Sequence, residues 1–268
     1  MKRFALPLFV SLIAITSPAL ADDTEAAASD NAALAVKLTN PVANMIQVPF
    51  KIDFDDGIGP ANADRETYLL QPVIPISLSD NWSYITRTIV PYVDMSSPTV
   101  GGQGSSGMAD TLEETFFSPK DTAGGWVWGI GPAMYFPTGN RVFGSGKWSL
   151  GPTAVALHIE NGWTYGVLAY QVWSIAGNSD RANVSQGFIE PFLSYTTKSA
   201  TTFTIQSESS INWKTSMGTV PINLLASQLV KIGSQPVSFQ IGARFYASRP
   251  SGGPDWGLRF NMNFLFPD

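Results

Sequence analysis

The sequence predicts an all-β fold: a transmembrane antiparallel up-and-down β-barrel of about twelve strands with a short N-terminal helical leader. Three observations support this prediction: an export signal on a chain without cysteine, a succession of strand-length segments, and tryptophans at the segment ends. A protein exported without disulfides depends on its core or on a membrane for stability. Outside the signal no apolar run approaches the roughly 18 to 20 residues of a membrane helix. If this chain spans lipid, it must therefore do so as a closed barrel.

The N-terminus has the features of a secretory signal. Lys2 and Arg3 precede an apolar run over 4–15, and a small-residue cleavage site follows at 19–21. We therefore expect residues 1–21 to be a cleaved signal peptide and the protein to reside in the bacterial outer membrane. Loss of Lys2 and Arg3 reduces the 16 basic residues to 14 against 21 acidic ones, which changes the formal charge from −5 to −7. This negative charge argues against nucleic acid as a partner.

The segment 22–43 is rich in alanine and does not alternate in polarity. Its stretch 32–38 predicts a short helix, which Pro41 would end. Two interpretations are open for this leader: a mobile periplasmic segment, or a plug that enters the barrel from the periplasmic side. The barrel domain is then expected to comprise residues 44–268.

From Asn44 onward the sequence divides into segments of about the length that a tilted membrane strand requires. We predict strands at 44–54, 65–78, 82–93, 108–119, 124–137, 147–160, 162–174, 184–198, 200–212, 217–230, 236–247 and 255–266. Every second connection is short, whereas the others, notably 55–64 and 94–107, are mostly longer and rich in small polar residues. This alternation is typical of periplasmic turns and outside loops. An even number of strands places both chain ends in the periplasm.

Proline occurs inside several predicted strands, where it cannot donate to the hydrogen-bond ladder. We therefore expect bulges or interrupted pairing at these positions. Two related pairs, Gly131-Pro132 and Gly151-Pro152, lie on consecutive strands and predict a shared kink.

The last strand is typical of the C-terminal strand of an outer-membrane barrel. Apolar residues occupy every second position: Leu258, Phe260, Met262, Phe264 and Phe266. Arg259, Asn261 and Asn263 lie between them, so one face is suited to lipid and the other to water. The polar-x-Gly-x-x-aromatic spacing at 255–260 resembles the signal read by barrel-insertion machinery, although residues 267–268 follow the expected terminal aromatic. We expect the barrel-assembly machinery and outer-membrane lipid as partners.

The eight tryptophans lie at the ends of predicted strands, where an interfacial girdle would place them. Those that follow short turns are Trp82, Trp126, Trp128 and Trp163, and those beside longer loops are Trp148, Trp173, Trp213 and Trp256. A soluble core would place them in the middle of strands. The even division between two rims favours a membrane barrel.

Several short motifs between about Asn40 and Phe266 together carry a family resemblance. They are Asn-Pro-Val-Ala at 40–43, Gln-Pro-Val-Ile-Pro at 71–75, Phe-Ser-Pro at 117–119, Gly-Ser-Gly-Lys-Trp-Ser-Leu-Gly-Pro-Thr-Ala at 144–154, Pro-Phe-Leu-Ser-Tyr-Thr-Thr at 191–197 and Gly-Pro-Asp-Trp-Gly at 253–257. As a set they resemble bacterial outer-membrane transporter-like proteins classed as putative meta-pathway of phenol degradation proteins, sometimes mislabelled neuromedin U. The resemblance implies an outer-membrane barrel that transports small organic molecules. It supplies no established substrate and no catalytic residues.

Polar residues that alternate with apolar neighbours should point into the barrel. The charged candidates for the lumen are Lys51, Asp53, Glu190, Glu208, Arg244 and Arg259. Aromatic candidates, which would suit a partly apolar solute or simply pack the interior, are Tyr135, Phe188, Phe192 and Tyr246. The charged set predicts either an ion-pair network that fills a narrow barrel or a constriction that selects solutes. Twelve strands lie between the number that side chains nearly fill and the number that leaves an open channel.

These features favour a passive or gated route for a small organic solute, with aromatic or hydrophobic molecules as candidates. The alternatives are a lipid-modifying barrel enzyme and a structural or adhesive barrel with a blocked lumen. The enzyme needs a nucleophile beside a base. The only histidine, His158, is expected to point inward, with Val155 and Leu157 facing lipid, at the rim of the short turns. We therefore expect no catalytic residues, no cofactor and, with one histidine and no cysteine, no metal site.

Overall fold

The computed structural model describes residues 29–121 and 123–267, which form a closed antiparallel barrel of twelve strands. The barrel closes because its first and last strands pair, from Ile46 opposite Phe266 to Asp56 opposite Trp256. Every other strand pairs with its neighbours in the sequence. This architecture confirms the predicted fold class, while the predicted signal peptide lies outside the described residues.

A short helix, α1, covers residues 29–38, and a single 3-10 turn covers Ala123–Gly125. Three strands are interrupted and consist of two segments each. The strands are β1 Ile46–Ile58, β2 Ala63–Leu70 and Val73–Ser77, β3 Trp82–Met95, β4 Ser105–Met108 and Thr111–Pro119, β5 Trp126–Phe136, β6 Lys147–Glu160, β7 Trp163–Gly177, β8 Ser185–Thr196, β9 Thr201–Gln206 and Ser209–Asn212, β10 Met217–Ile232, β11 Gln235–Ser248 and β12 Trp256–Phe266. No helix in the described ranges is long and apolar enough to cross a membrane.

The connections at the two ends of the barrel differ in length, as predicted. At the turn end, where β1 begins and β12 ends, β6 and β7 are joined by Asn161-Gly162, both with positive φ (51° and 82°). A two-residue hairpin loop of this kind requires positive φ at both positions. At the loop end, longer segments such as 96–104 and 137–146 connect the strands.

One predicted loop, 55–64, is wrong. β1 continues to Ile58 and β2 begins at Ala63, so the connection is only 59–62. The acidic residues that suggested a loop lie in the strand, and the Asp55 side chain is held in the interior by Arg65 at 2.7 Å. An ion pair across two strands thus replaces the solvation that a loop would have supplied.

Two of the strand prolines interrupt pairing as predicted. Pro132 of β5 lies opposite Pro152 of β6, and the ladder is interrupted where Pro132 faces β4 and where Pro152 faces β7. A Cβ atom on Gly131 would lie 1.9 Å from the carbonyl oxygen of Thr115, and one on Gly151 would lie 1.8 Å from that of Gln171. Both glycines are therefore needed for the close approach of these strands, and the predicted shared kink stays a prediction.

The outer surface is apolar between two rings of tryptophan. All eight tryptophan side chains are between 40% and 56% exposed, which means that they point away from the barrel. Several form edge-to-face aromatic pairs on the outer surface, such as Trp82 with Trp128 at 5.8 Å and Phe136 with Trp148 at 5.3 Å between ring centroids. Large apolar residues such as Phe260 (42% exposed) cover the surface between the two rings.

Candidate solute pathway through the barrel

One side of the interior is a wall of ion pairs built by β1, β9, β11 and β12. The guanidinium of Arg259 donates to both carboxylate oxygens of Asp53 at 2.6 and 2.8 Å, and to Glu208 at 2.5 and 2.9 Å. Lys51 lies 3.3 Å from Glu208, and Arg244 lies 2.5 Å from Asp53. Because alternate residues of a strand share one face, this period-2 spacing places Lys51 and Asp53 together on the inner face of β1.

The same wall continues toward the loop end. Asp55 is almost fully buried and contacts Arg65 at 2.7 Å and Arg244 at 3.9 Å. The Tyr246 hydroxyl donates to the Asp55 carboxylate, and the Arg244 guanidinium lies 5.8 Å from the centre of the Tyr246 ring. Tyr246 is thus a member of the ion-pair network. Arg65 and Asp55 were missed as site residues, since Asp55 had been assigned to a loop.

The opposite side of the interior, on the second segment of β2 and on β3 to β8, is largely apolar. Its fully or nearly fully buried members include Val73, Ile85, Leu112, Phe116, Val127, Ala133, Val155, Leu157, Leu168, Tyr170 and Val172. Tyr135 and Tyr170 share a hydrogen bond of 2.7 Å between their hydroxyls, and the Tyr170 ring stacks on Phe188 at 4.9 Å. Within this wall one ion pair, Arg87 with Glu114 at 3.3 Å, is supported by a hydrogen bond from Thr153.

His158 lies on the outer face of β6, so its predicted inward orientation is wrong. Val155 (3% exposed) and Leu157 (0%) point into the barrel, which turns His158 to the outside. There its ring stacks on Tyr165 at 5.3 Å. Its Nε2 atom is 3.0 Å from the carbonyl oxygen of Gly124. In this half of the barrel the interior is also apolar. The rule that apolar residues face lipid therefore places Val155 and Leu157 outside and His158 inside, which is the reverse of the observed orientation.

The space between the two walls consists of two cavities, one above the other. The upper cavity, of about 320 Å³, opens toward the loop end and is lined by Tyr135, Tyr170 and Phe188 on one side and by the ion-pair wall on the other. The lower cavity, of about 210 Å³, is lined mostly by amide and hydroxyl side chains, with Phe192 on one side. The residues that border both cavities are Lys51, Gln71, Arg87, Glu190 and Glu208. These five residues, which we call the constriction, form the polar layer between the two cavities.

The described part of the leader, residues 29–43, lies inside the turn end of the barrel. Ala35 of α1 is 3% exposed and packs with Leu229 and Leu265, while Leu38 lines the lower cavity. Beyond the helix, the Thr39 hydroxyl donates to that of Thr164 at 2.7 Å, linking the leader to β7. These residues therefore lie beneath the constriction, on the side of the turn end.

The charged and aromatic candidates predicted for the lumen all lie on its walls. Five of the charged residues, with Tyr246, belong to the continuous network around Arg259 and Asp53, whereas Glu190 stands apart from it. Arg87, Glu114 and Tyr170 were not among the predicted site residues. No group of three or more potential metal ligands occurs within 29–121 and 123–267.

A family model described as putative MetA-pathway of phenol degradation matches residues 61–174. No curated protein shows a significant match. Among solved structures, an outer membrane channel from Pseudomonas putida F1 superposes with a TM-score of 0.63 at 14% identity, covering 82% of this chain and 93% of that one. At this identity the likeness shows the fold alone.

Two other solved structures are less similar. The outer membrane phospholipase A from Escherichia coli has a TM-score of 0.44 at 14% identity, covering 89% of this chain and 98% of that one. The β domain of the Bordetella autotransporter BrkA has a TM-score of 0.47 at 11% identity, covering 83% and 100%. Neither supports an inference about activity. The predicted family resemblance is thus confirmed: over residues 61–174 the chain matches the family of the putative MetA-pathway of phenol degradation, on the fold of an outer-membrane barrel.

Proposed function

We propose that the protein is an outer-membrane channel that provides a passive or gated route for a small organic solute. The observation that carries this proposal is the pair of cavities that meet at the constriction. They lie one after the other inside a closed barrel whose outer surface is apolar, and five lining residues are common to both. A channel selects solutes through the side chains that line its narrowest part. Here those side chains are Lys51, Gln71, Arg87, Glu190 and Glu208.

The proposed setting is the outer membrane, with the chain exported by the signal at 1–21 and inserted by the barrel-assembly machinery. Support comes from the exterior, where an apolar surface lies between two tryptophan rings. The last strand, β12, would provide the signal for insertion, and its pairing with β1 closes the barrel.

The leader is the proposed gate. It is held by apolar packing of Ala35, Val42 and Met45 in the two buried clusters, and by a hydrogen bond between Thr39 and Thr164. Displacement of this segment, which ends before the first paired residue of β1, breaks no strand pairing and so costs less than a change in the barrel itself. Movement of residues 29–45 would open the lower cavity toward the turn end.

The packing of the leader also supports a second candidate, a structural barrel with a permanently blocked lumen. A lipid-modifying enzyme has less support. Within the described residues His158 contacts Gly124, Trp126 and Tyr165, and none of these is a serine.

The single-channel current of a double cysteine variant, measured in planar bilayers, distinguishes the channel from the blocked barrel. Thr39→Cys combined with Thr164→Cys places the only two cysteines of the chain where two side-chain oxygens are 2.7 Å apart. Oxidation should tether the leader and lower the single-channel current, and reduction should restore it. The single variant Thr39→Cys is the control and should show no redox dependence.

Two outcomes would contradict the proposal in different ways. Equal currents in the oxidised and reduced double variant, with the disulfide verified by mass spectrometry, would show that the leader is not a gate. Absence of current in the wild type and after deletion of residues 29–40 would show that the lumen does not conduct, and would favour the structural barrel.

A further inference from the structure

A stripe of alternate residues on β8 runs past the constriction from one cavity to the other. Phe188 lines the upper cavity, Glu190 borders both cavities and Phe192 lines the lower one. Alternate residues of a strand share one face at a spacing of about 6.5 to 7 Å. The residues between them, Ile189 and Pro191, are exposed on the outer surface. A solute that passes the constriction therefore meets an aromatic ring, a carboxylate and a second aromatic ring in succession.

Glu190 differs from the other acidic residues of the interior. Asp53, Asp55, Glu114 and Glu208 each lie within hydrogen-bonding distance of an arginine. Within the described part of the chain, Glu190 makes no hydrogen bond and no ion pair within 4.0 Å. Its carboxylate is half-buried and borders both cavities, so its acceptor oxygens are available to a ligand.

The cations that line the two cavities, in contrast, are already engaged. Arg259, Arg244 and Arg65 contact Asp53, Glu208 or Asp55. The two cations that border the constriction with Glu190, Lys51 and Arg87, each lie 3.3 Å from another carboxylate. An anionic solute would have to displace one of these pairs, which is unfavourable because it leaves a buried carboxylate without its partner. A cationic solute can donate to the Glu190 carboxylate without displacing an existing ion pair.

We propose that the stripe around Glu190 is a binding site for an organic ammonium ion with an aromatic or aliphatic body. The proposal rests on the proposed channel function and names the solute class of that pathway. The ammonium donates to the Glu190 carboxylate, while the body packs on Phe188, Phe192 and the Tyr170 ring that stacks on Phe188. Aromatic side chains beside a carboxylate favour such cations, because ring faces and carboxylate oxygens both attract positive charge.

Three probes of equal shape test the class of ligand: 2-phenylethylamine as its ammonium ion, 2-phenylethanol and phenylacetate. Binding to the detergent-solubilised full mature chain is measured by isothermal titration calorimetry. The ammonium ion should bind about tenfold or more tightly than the alcohol, since a charge-assisted hydrogen bond contributes about 1.5 to 3 kcal/mol. Phenylacetate should bind most weakly. Equal or tighter binding of the alcohol or the acid would overturn the proposal.

Matched variants locate the site. Glu190→Gln keeps the side-chain size, removes no ion pair, and should lower ammonium affinity about tenfold while leaving affinity for 2-phenylethanol nearly unchanged. The control is Glu113→Gln, the same change on the outer face of β4, where Glu113 accepts a hydrogen bond from Thr88 at 2.5 Å. Phe188→Leu should lower ammonium affinity about threefold. If Glu190→Gln leaves the affinity for the ammonium ion unchanged, or if Glu113→Gln lowers it equally, the binding site is not on β8.

The binding test does not depend on conduction. Selective ammonium binding that is lost in Glu190→Gln, in a protein without measurable current, would support the site and contradict the proposed channel. A measurable current without selective ammonium binding would support the proposed channel and contradict the proposed site. Unfolding temperatures of all variants, measured in the same detergent, show whether a loss of affinity reflects a loss of fold.

Discussion

The two sides of the barrel interior follow different rules, although the outer surface is apolar around the whole circumference. On β9, β11, β12 and β1, charged side chains form one connected network centred on Arg259 and Asp53. On β3 to β8, side chains such as Phe116 and Leu157 are fully buried in a core that resembles that of a soluble protein. The charged side has an outer and an inner face of opposite polarity, whereas many strands of the apolar side are apolar on both faces.

This difference shows what alternation can and cannot reveal. A period of two separates the two faces of any strand, but it identifies the inner face only where the two faces differ in polarity. On β12 they differ strongly, and Arg259 and Phe260 were assigned to the correct faces. On β6 the inner residues Val155 and Leu157 are as apolar as lipid-facing residues, so His158 was assigned to the wrong face.

The comparison predicts that the largest loss of stability comes from the centre of the charged network. Arg259→Ala should lower the free energy of unfolding by about 3 to 5 kcal/mol, because it leaves Glu208 and Asp53 buried without their shared partner. Urea-induced unfolding in phospholipid vesicles measures this loss. The control Lys231→Ala, at an exposed position, should change stability by less than about 0.5 kcal/mol. Similar small losses in both variants would show that the network contributes little.

In the apolar half, a core substitution should cost nearly as much. Leu168→Ala should lower the free energy of unfolding by about 2 to 4 kcal/mol through the loss of packing around a side chain that is 1% exposed. The adjacent Val167, which is 37% exposed on the outer face, is the matched control. Lipid can fill the space left by Val167→Ala, so its loss should be much smaller. Equal losses would mean that the interior is not packed like a protein core.

The energetic coupling between pairs of substitutions should also differ between the two halves of the interior. In a double-mutant cycle, Arg244→Ala and Asp53→Ala should interact by about 1 to 3 kcal/mol, since their side chains are 2.5 Å apart in a shared network. Arg244→Ala combined with Leu168→Ala should be additive within about 0.5 kcal/mol, because the two residues share no partner. Strong coupling in the second pair would contradict the division of the interior into two independent walls.

The smallest effect is expected for the position that was misassigned. His158→Phe should change stability by less than about 0.5 kcal/mol, because a phenyl ring can keep the outer contact with Tyr165. Thr153→Phe, at an inward and buried position of the same strand, should cost about 1 to 3 kcal/mol by overpacking. The same vesicle unfolding assay compares them. A large loss of stability in His158→Phe would indicate that the His158 side chain points inward.

By itself the sequence determined the barrel class, the number of strands, the positions of the tryptophans at the two rims and the interrupted pairing at Pro132 and Pro152. These features follow from local rules, since strand length, alternation and proline chemistry involve residues close together in the chain. It also identified Arg259 and Glu208 as interior residues, because their neighbours are clearly apolar.

Only the tertiary structure decided which charges meet, which wall is apolar and where the leader lies. Arg259 and Asp53 are 206 residues apart in sequence, and their contact depends on how the barrel closes between β12 and β1. Glu190 lies on β8, which pairs with the strand that carries Glu208, yet no ion pair joins it to this network in the described part of the chain. Partners brought together by ring closure leave no periodic signal in a single sequence, so their pairing emerges only from the folded barrel.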